Sequence, residues 1–228
     1  MTTLGAMIVF FFKKNISTTL NQYFLGLASG VMIAASIWSL IIPSIEESNL
    51  IRFNYLYIAL SILMGAFFIY AIENKFSNKK FGNSKLFLAV TIHNIPEGLA
   101  VGLAFGLAFS TNSSALLMSA ATLAFGIGIQ NFPEGAAISL PLKTEFKSNK
   151  KAFFYGFLSG AVEPIFAFLG IILSAYITFL LPFLLAFAAG TMIYVVVDEL
   201  MNEINKTKIF TFSFLLGFLI MMILDVAL

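Results

Sequence analysis

The sequence predicts an all-α integral membrane protein that crosses the bilayer with eight helices, the first of them short. Of its 228 residues, 60% are apolar and only 11% are charged. Average soluble domains are about 45–50% apolar and about 25% charged, so a water-soluble enzyme is excluded. A spanning helix takes about 20 apolar residues. With short loops, the chain has room for roughly eight spans in a single transmembrane domain, residues 1–228, and for no soluble domain.

Continuous apolar runs support this number of spans. Strands of a transmembrane β-barrel would instead alternate apolar and polar residues in pieces of about ten. The first run would extend only about 17 Å as a helix, against a hydrocarbon core of about 30 Å, and we interpret it as a shortened or N-terminally truncated span. The runs are residues 2–12, 22–43, 53–72, 86–109, 115–142, 152–176, 178–197 and 209–228.

The distribution of Lys and Arg predicts the orientation in the membrane. All but one of the 13 basic residues lie in the loops after runs 1, 3, 5 and 7, and only Arg52 lies on the other side. Positive charge concentrates in cytoplasmic loops, so both termini are predicted to be extracytoplasmic. Cysteine is absent, which excludes disulfide bonds and thiolate metal sites. The lysines are Lys13, Lys14, Lys75, Lys79, Lys80, Lys85, Lys143, Lys147, Lys150, Lys151, Lys206 and Lys208.

Three glutamates lie inside the predicted spans, and no Lys or Arg lies there to pair with them. A charge at the membrane centre costs about 2.5–3.5 kcal/mol even on lenient scales, so such residues usually serve a functional site. Counting about 1.5 Å per residue from the nearest lysine puts Glu97 and Glu163 about 18 Å deep and Glu134 about 14 Å deep. The three carboxylates therefore reach nearly the same level, where a shared cation would offset their repulsion.

Two of these glutamates belong to a motif that occurs twice. Residues 93–98 read His-Asn-Ile-Pro-Glu-Gly, and residues 130–135 read Gln-Asn-Phe-Pro-Glu-Gly. In each motif the first residue and the glutamate are spaced i,i+4 and share a helix face, while the proline is expected to bend the helix. Imidazole, amide oxygen and carboxylate without thiolate suit Zn²⁺, Mn²⁺ or Fe²⁺. The motifs therefore predict a metal site between antiparallel helices 4 and 5.

The paired motifs, with Glu163-Pro164 in the sixth run, resemble those of the ZIP (Zrt/Irt-like) metal transporters, specifically the GufA-like branch, over essentially the full chain. The resemblance implies uptake of divalent metal, typically zinc, into the cytoplasm through a binuclear centre, in a protein that commonly dimerises. It implies that the motif glutamates bridge two metal sites. The implied ligands are His93, Glu97, Gln130 and Glu134 for the first site, and Asn94, Glu97, Asn131, Glu134 and Glu163 for the second.

Some positions depart from the family pattern or carry less weight. Asn131 stands where some members have aspartate, so the second site carries one negative charge less. The loop 74–85 lacks the His-rich tract of many members, so regulation through it is not expected. Met32 matches a position that contributes a thioether in some members, although ordinary packing explains it equally well. Gly26 and Gly30, four residues apart, predict close packing of the second helix against a neighbour.

Acidic residues near the ends of the spans have two interpretations each. Asp198 and Glu199, near the predicted cytoplasmic end of span 7, could form an exit relay for the ion or a solvated helix end balanced by Lys206. Asp225, near the outer terminus, could attract cations or simply mark the water interface, and the second interpretation is slightly favoured.

Together these features predict a non-enzymatic, multi-pass protein of the cell membrane that transports Zn²⁺, with Cd²⁺, Fe²⁺ and Mn²⁺ as further candidates. Its expected partners are divalent ions, the lipid bilayer and a second copy of the chain, and no nucleic acid. A channel-like facilitator or sensor is the alternative, because both need the same path. An intramembrane metalloprotease typically needs a His-rich site, whereas the chain has one His. The phosphate-binding pattern of ATPases does not occur either.

Overall fold

The computed structural model describes residues 1–12, 17–49, 52–76, 84–201 and 207–227, and these are almost entirely helical. The prediction of an all-α protein is therefore confirmed. The helices are α1, Thr2–Ala6 with a 3₁₀ extension Met7–Phe11; α2, Thr18–Ala35, which passes through a π-helical segment Ser36–Ile41 into Ile42–Glu47; α3, Asn54–Phe76; α4, Ser84–Thr111; α5, Ser114–Phe146; α6, Asn149–Ile177, followed by a 3₁₀ turn Thr178–Leu180; α7, Leu181–Val195, with a π-helical segment Val196–Leu200; and α8, Lys208–Ala227.

Seven of the described helices, α2 to α8, are long and apolar enough to cross a membrane, and α1 is a shorter apolar helix. The prediction of a short first span followed by seven full ones is confirmed. Large apolar side chains such as Phe67, Phe168 and Phe212 stand exposed on the outer helices. Such a surface suits lipid rather than water, so the chain is a multi-pass membrane protein. The orientation relative to the cytoplasm stays a prediction; Lys13, Lys14, Lys79, Lys80 and Lys206 lie outside the described residues.

The helices pack in two groups that meet along a common centre. In one group α4 packs against α6, and α1 packs against α5 and α6. In the other group α2 packs against α8, and α3 packs against α7. The groups meet where α2 contacts α5 and where α4 contacts α7. In its most apolar stretch α2 is 67% buried, whereas α6 and α8 are 17% buried. The α2 helix therefore lies at the centre of the protein, and α6 and α8 lie at its periphery.

A very short connection sets the relative level of α4 and α5. Only Asn112 and Ser113 separate the two helices. Asn112 adopts the left-handed conformation, with φ of 50°, which asparagine tolerates better than most residues. The Ser113 side chain then caps α5 by accepting a hydrogen bond from the backbone N–H of Leu116. The two helices must therefore run antiparallel side by side, which brings the motif on α4 opposite the motif on α5.

Close packing of α2, predicted from its small residues, is confirmed. A Cβ atom at Gly30 would lie 2.0 Å from the carbonyl oxygen of Phe214 on α8, and one at Gly26 would lie 2.6 Å from that of Phe210. Both distances are far below van der Waals contact, so only glycine lets the two backbones approach this closely.

Lys143 differs from the sequence-based expectation that it belongs to a solvated loop. The α5 helix continues to Phe146, and Lys143 is buried on its last turns. Its ammonium group donates hydrogen bonds to the carbonyl oxygens of Val9 and Phe12. The physical reason is that the last carbonyls of a helix lack intrahelical partners. Here α1 ends against the protein interior, and a cation from α5 satisfies its terminal carbonyls.

The contact between α2 and α8 generates a stability prediction. Replacing Gly30 by Ala should destabilise the protein by about 1–3 kcal/mol, because the added methyl overpacks the interface with the α8 backbone. The matched control is Gly128→Ala on α5, where a Cβ atom would meet nothing closer than 3.6 Å. Thermal unfolding in detergent, followed by circular dichroism, compares the two. Equal melting temperatures of the Gly30→Ala and Gly128→Ala proteins would contradict this packing.

Candidate metal site

The two motifs contact each other reciprocally across the α4–α5 interface. The imidazole Nε2 of His93, at the start of the first motif, lies 3.4 Å from Oε2 of Glu134 in the second. The amide Nε2 of Gln130, at the start of the second motif, donates to Oε1 of Glu97 in the first at 3.0 Å. Moving four residues forward on α4 corresponds to moving four residues back on α5, which is one turn on two antiparallel helices. The i,i+4 spacing in each motif thus matches the spacing in the other.

Asn94 connects this pair of helices to α6. Its side-chain nitrogen donates to Oε1 of Glu134 at 3.1 Å and to the backbone carbonyl oxygen of Ser159 at 3.2 Å. Both oxygens of Glu134 therefore have a partner from α4. Ser159 lies one turn before Glu163 on α6, so the same amide that contacts the second glutamate also fixes the helix that carries the third.

Glu163 completes the group of three carboxylates. It lies on α6, partly buried, where Oε1 accepts a hydrogen bond from the hydroxyl of Thr2 at 3.2 Å. Glu97 lies close enough to both Glu134 and Glu163 for their charges to repel. A Cβ atom at Gly98 would lie 2.5 Å from the Glu163 carbonyl oxygen, so the glycine after Glu97 admits the α6 backbone at this level. The structure thus brings together the three glutamates that sequence depth alone put at one level.

Several lone-pair atoms in this cluster have no hydrogen-bond partner. The two motif glutamates and the four polar residues around them are at most 1% exposed. Leaving a buried polar atom unpaired is costly, and native structures rarely do it without a reason. A cation would satisfy the oxygen atoms among them, and nitrogen and oxygen donors are those that zinc and similar ions accept. The unpartnered atoms are His93 Nδ1, Asn94 Oδ1, Glu97 Oε2, Gln130 Oε1 and Asn131 Oδ1.

The acidic and histidine side chains do not form a metal site by themselves. Among the described residues, no three His, Asp or Glu side chains are gathered closely enough to hold a metal ion by themselves. The glutamates are instead engaged with the imidazole and the amides around them. Side-chain amides therefore contribute polar atoms to the cluster beside its carboxylates.

Two residues of this region were missed by sequence analysis. Thr2 lies in the short first helix, and nothing in its local sequence indicates a site. Ser159 is fully buried, and its hydroxyl has no partner among the described residues. Its spacing of four residues from Glu163 was the available signal, since residues at i and i+4 share a helix face.

The remaining sequence-predicted site residues lie elsewhere or are only partly described. Met32 is 1% exposed and packs in the hydrophobic core, so its thioether role stays a prediction. Asp198 is exposed near the end of α7, and the side chain of Glu199 lies outside the described part of the chain. Asp225 accepts a hydrogen bond from Ser39 at 2.8 Å.

Two cavities lie along the same bundle. The larger, of about 530 Å³, is lined by acidic side chains together with apolar ones, and the acids are Asp225, Glu46 and Glu47. A smaller cavity of about 210 Å³ is lined by Glu163 and by the two glycines Gly98 and Gly128. An acidic cavity at one end and a carboxylate cluster beside a second cavity form a surface that attracts cations over anions.

Comparison with known proteins identifies relatives along the whole chain. Residues 75–225 match the ZIP Zinc transporter family. Zinc transporter ZIP11 of Xenopus tropicalis is 36% identical over 100% of this chain and 94% of its own length. Zinc transporter GufA of Myxococcus xanthus is 33% identical over 89% of this chain and 85% of its own length. Zinc transporter ZIPB of Bordetella bronchiseptica is 32% identical over 100% of this chain and 77% of its own length.

The unpartnered donor atoms predict that a divalent cation stabilises the fold. At a hundredfold excess over the dissociation constant, a ligand that binds only the folded state adds about 2.7 kcal/mol. Zn²⁺ should therefore raise the melting temperature of the wild-type protein, and Glu134→Gln should abolish most of that rise, because it removes a central charge while keeping the shape. Glu145→Gln, an exposed position on the same helix, is the control and should retain the full rise. An equal rise in both variants would argue against ion binding in this cluster.

Proposed function

Because the chain belongs to the ZIP zinc transporter family, as its two motifs predicted, we propose that it carries Zn²⁺ across the cell membrane into the cytoplasm. Cd²⁺, Fe²⁺ and Mn²⁺ are further candidate substrates, since they accept similar nitrogen and oxygen ligands. The matched relatives are named transporters rather than enzymes, which confirms the non-enzymatic prediction. The proposal depends above all on one observation: a buried cluster of carboxylates, amides and an imidazole with no Lys or Arg at salt-bridge distance among the described residues.

The first ion position is proposed at the reciprocal contacts between the motifs, with His93, Glu97, Gln130 and Glu134 as ligands. His93 Nε2 and Glu134 Oε2 are 3.4 Å apart, too far for a strong hydrogen bond and close enough to converge on one ion. The Gln130 amide must rotate for its oxygen, which has no partner, to face the ion. Ion binding would then replace the contact from Gln130 to Glu97 by bonds from both residues to the metal.

The second position is proposed on the α6 side, with Asn94, Glu97, Asn131, Glu134 and Glu163 as ligands. The amide of Asn131 lies near the Glu163 carboxylate, and the Oδ1 atoms of Asn94 and Asn131 have no partner. Asn131 is neutral where some family members have aspartate, so this position relies on Glu163 and on two carboxylates that it shares with the first. It should therefore hold an ion more weakly, and the two motif glutamates would bridge the ions.

The acidic cavity beside Asp225 supports an entrance on the extracytoplasmic side. Its carboxylates would concentrate cations before they lose water, since a cleft lined by one sign of charge attracts the opposite ion. Exposed Asp198 supports an exit relay at the other end of α7, with a solvated helix end as the alternative. Transport by a dimer of this chain is part of the proposal, because the family resemblance implies it.

Loss of either bridging glutamate should abolish transport. Glu97→Ala and Glu134→Ala should each reduce zinc uptake into proteoliposomes to the background rate, because each removes a ligand from both ion positions. The control is Glu145→Ala, which should transport at the wild-type rate. Uptake is measured with a zinc-sensitive dye inside the vesicles, and equal incorporation is verified by immunoblot. Near-normal uptake by either bridging variant would refute the assignment.

The concentration dependence of flux separates the carrier from its channel-like alternative. A carrier must reorient once per ion, so zinc flux should saturate as the outside concentration rises. Flux that stays linear in concentration would favour a channel-like facilitator. Parallel measurements with Cd²⁺, Fe²⁺, Mn²⁺ and Mg²⁺ give the ion preference, with Mg²⁺ expected to be poorly transported because it prefers oxygen ligands and retains its water.

Replacing Asn131 by Asp should tighten the second ion position. The change adds a carboxylate beside Glu163 and Glu134, so zinc affinity should rise while the maximal transport rate stays flat or falls, since a tighter ion leaves more slowly. Equilibrium dialysis gives the affinity, and initial rates of uptake give the maximal rate. Asn131→Ala is the matched variant, which should weaken that position. Unchanged affinity and rate in Asn131→Asp would contradict a second position at this residue.

A further inference from the structure

The hydroxyl of Thr2 reaches the metal site from a helix that supplies none of the proposed ligands. Thr2 is 1% exposed, and its Oγ1 donates to Oε1 of Glu163 at 3.2 Å, across 161 positions of sequence. We propose that Thr2 is a positioning residue of the metal site, which orients the Glu163 carboxylate for the second ion. This inference rests on the proposed function, because it names the residue that prepares one of its ligands.

Two glycines, Gly135 and Gly160, form the recess that Thr2 occupies. A Cβ atom at Gly135 would lie 1.9 Å from the backbone carbonyl oxygen of Thr2. A Cβ atom at Gly160 would lie 2.6 Å from the Thr2 Cβ atom and 3.0 Å from its hydroxyl oxygen. Any side chain at either position would therefore push Thr2 away from Glu163. Gly135 directly follows Glu134, so the second motif itself contains the residue that admits α1.

The glycine of the first motif also affects Glu163, through the backbone of that residue. Gly98 directly follows Glu97 and admits the backbone of Glu163 itself, with the Glu163 carbonyl oxygen 2.5 Å from where a Cβ atom would be. The glycines of the two Pro-Glu-Gly sequences thus both act on the position of Glu163. One glycine lets Glu163 approach, and the other lets the donor to Glu163 approach.

The opposite end of α1 is fixed as well. Lys143 Nζ donates to the carbonyl oxygens of Val9, at 3.3 Å, and Phe12. It also lies 5.9 Å from the centre of the Phe12 ring, within reach of a cation–π interaction. A helix held at both ends cannot slide along its axis, so the Thr2 hydroxyl stays at the level of Glu163.

A hydroxyl on one carboxylate oxygen matters because the terminal torsion of glutamate is otherwise broad. With Oε1 held by Thr2, the carboxyl plane is fixed before the ion arrives, and less side-chain freedom is lost on binding. Removing this hydrogen bond should weaken the ion position that Glu163 serves by about tenfold.

The test measures Zn²⁺ binding to the purified full chain by equilibrium dialysis. Thr2→Val keeps the shape and removes the hydroxyl, and Thr2→Ser keeps the hydroxyl. Thr2→Val should weaken one ion position by about tenfold, whereas Thr2→Ser should bind like the wild type. In the presence of Glu163→Gln, Thr2→Val should have no further effect, because residues that act through one another are not additive. Melting temperatures of all variants verify that they are folded.

Different results would contradict the role of Thr2 and the second ion position. Wild-type affinity in Thr2→Val, weakened binding in Thr2→Ser, or additive losses in the double variant would overturn the role of Thr2. Absence of zinc binding by the wild type, or wild-type binding by Glu163→Gln, would instead overturn the second ion position in the proposed function. Weakened binding in Thr2→Val, rescued in Thr2→Ser and silent with Glu163→Gln, supports the inference.

Discussion

Burial of two carboxylates beside a third, partly buried one, with no Lys or Arg at salt-bridge distance among the described residues, is the constraint on which the rest of the structure depends. Glu97, Glu134 and Glu163 lie near enough to repel one another at the centre of the bundle, where the low dielectric strengthens that repulsion. Side-chain amides, the one imidazole of the chain and a hydroxyl contact these carboxylates. Each of these groups also offers a lone pair. The same arrangement that makes the carboxylates tolerable therefore prepares them to receive a divalent cation.

The duplicated motif solves this problem twice with one geometry. A polar residue placed four positions before each glutamate reaches the glutamate of the other helix, because the two helices run antiparallel in a register set by a two-residue connection. The solution is nevertheless asymmetric. The Asn94 amide nitrogen donates to Glu134 and to the Ser159 carbonyl oxygen on α6, whereas Asn131, its counterpart, lies near the Glu163 carboxylate. The two amides therefore contact α6 at different places, one at its backbone and one at its carboxylate.

The short first helix is held in place by residues of its neighbours. It packs against α5 and α6. Its far end is satisfied by Lys143, so that no terminal carbonyl of Val9 or Phe12 is left facing an apolar interior. Its near end brings Thr2 to Glu163.

The sequence by itself determined the class of fold, the spans and the level of the glutamates, because hydropathy and helical rise are properties of local segments. It also determined the motifs, whose i,i+4 spacing is a local geometry. Only the tertiary structure decided which lone pairs converge, that Lys143 turns inward to α1, and that Thr2 belongs to the site. The Lys143 and Thr2 contacts join residues 131 or more positions apart, and the contacts between the motifs join residues 33 to 41 positions apart. Nothing local distinguishes Thr2 from any threonine near an end of the chain, and its role exists only because Gly135 and Gly160 leave room for it.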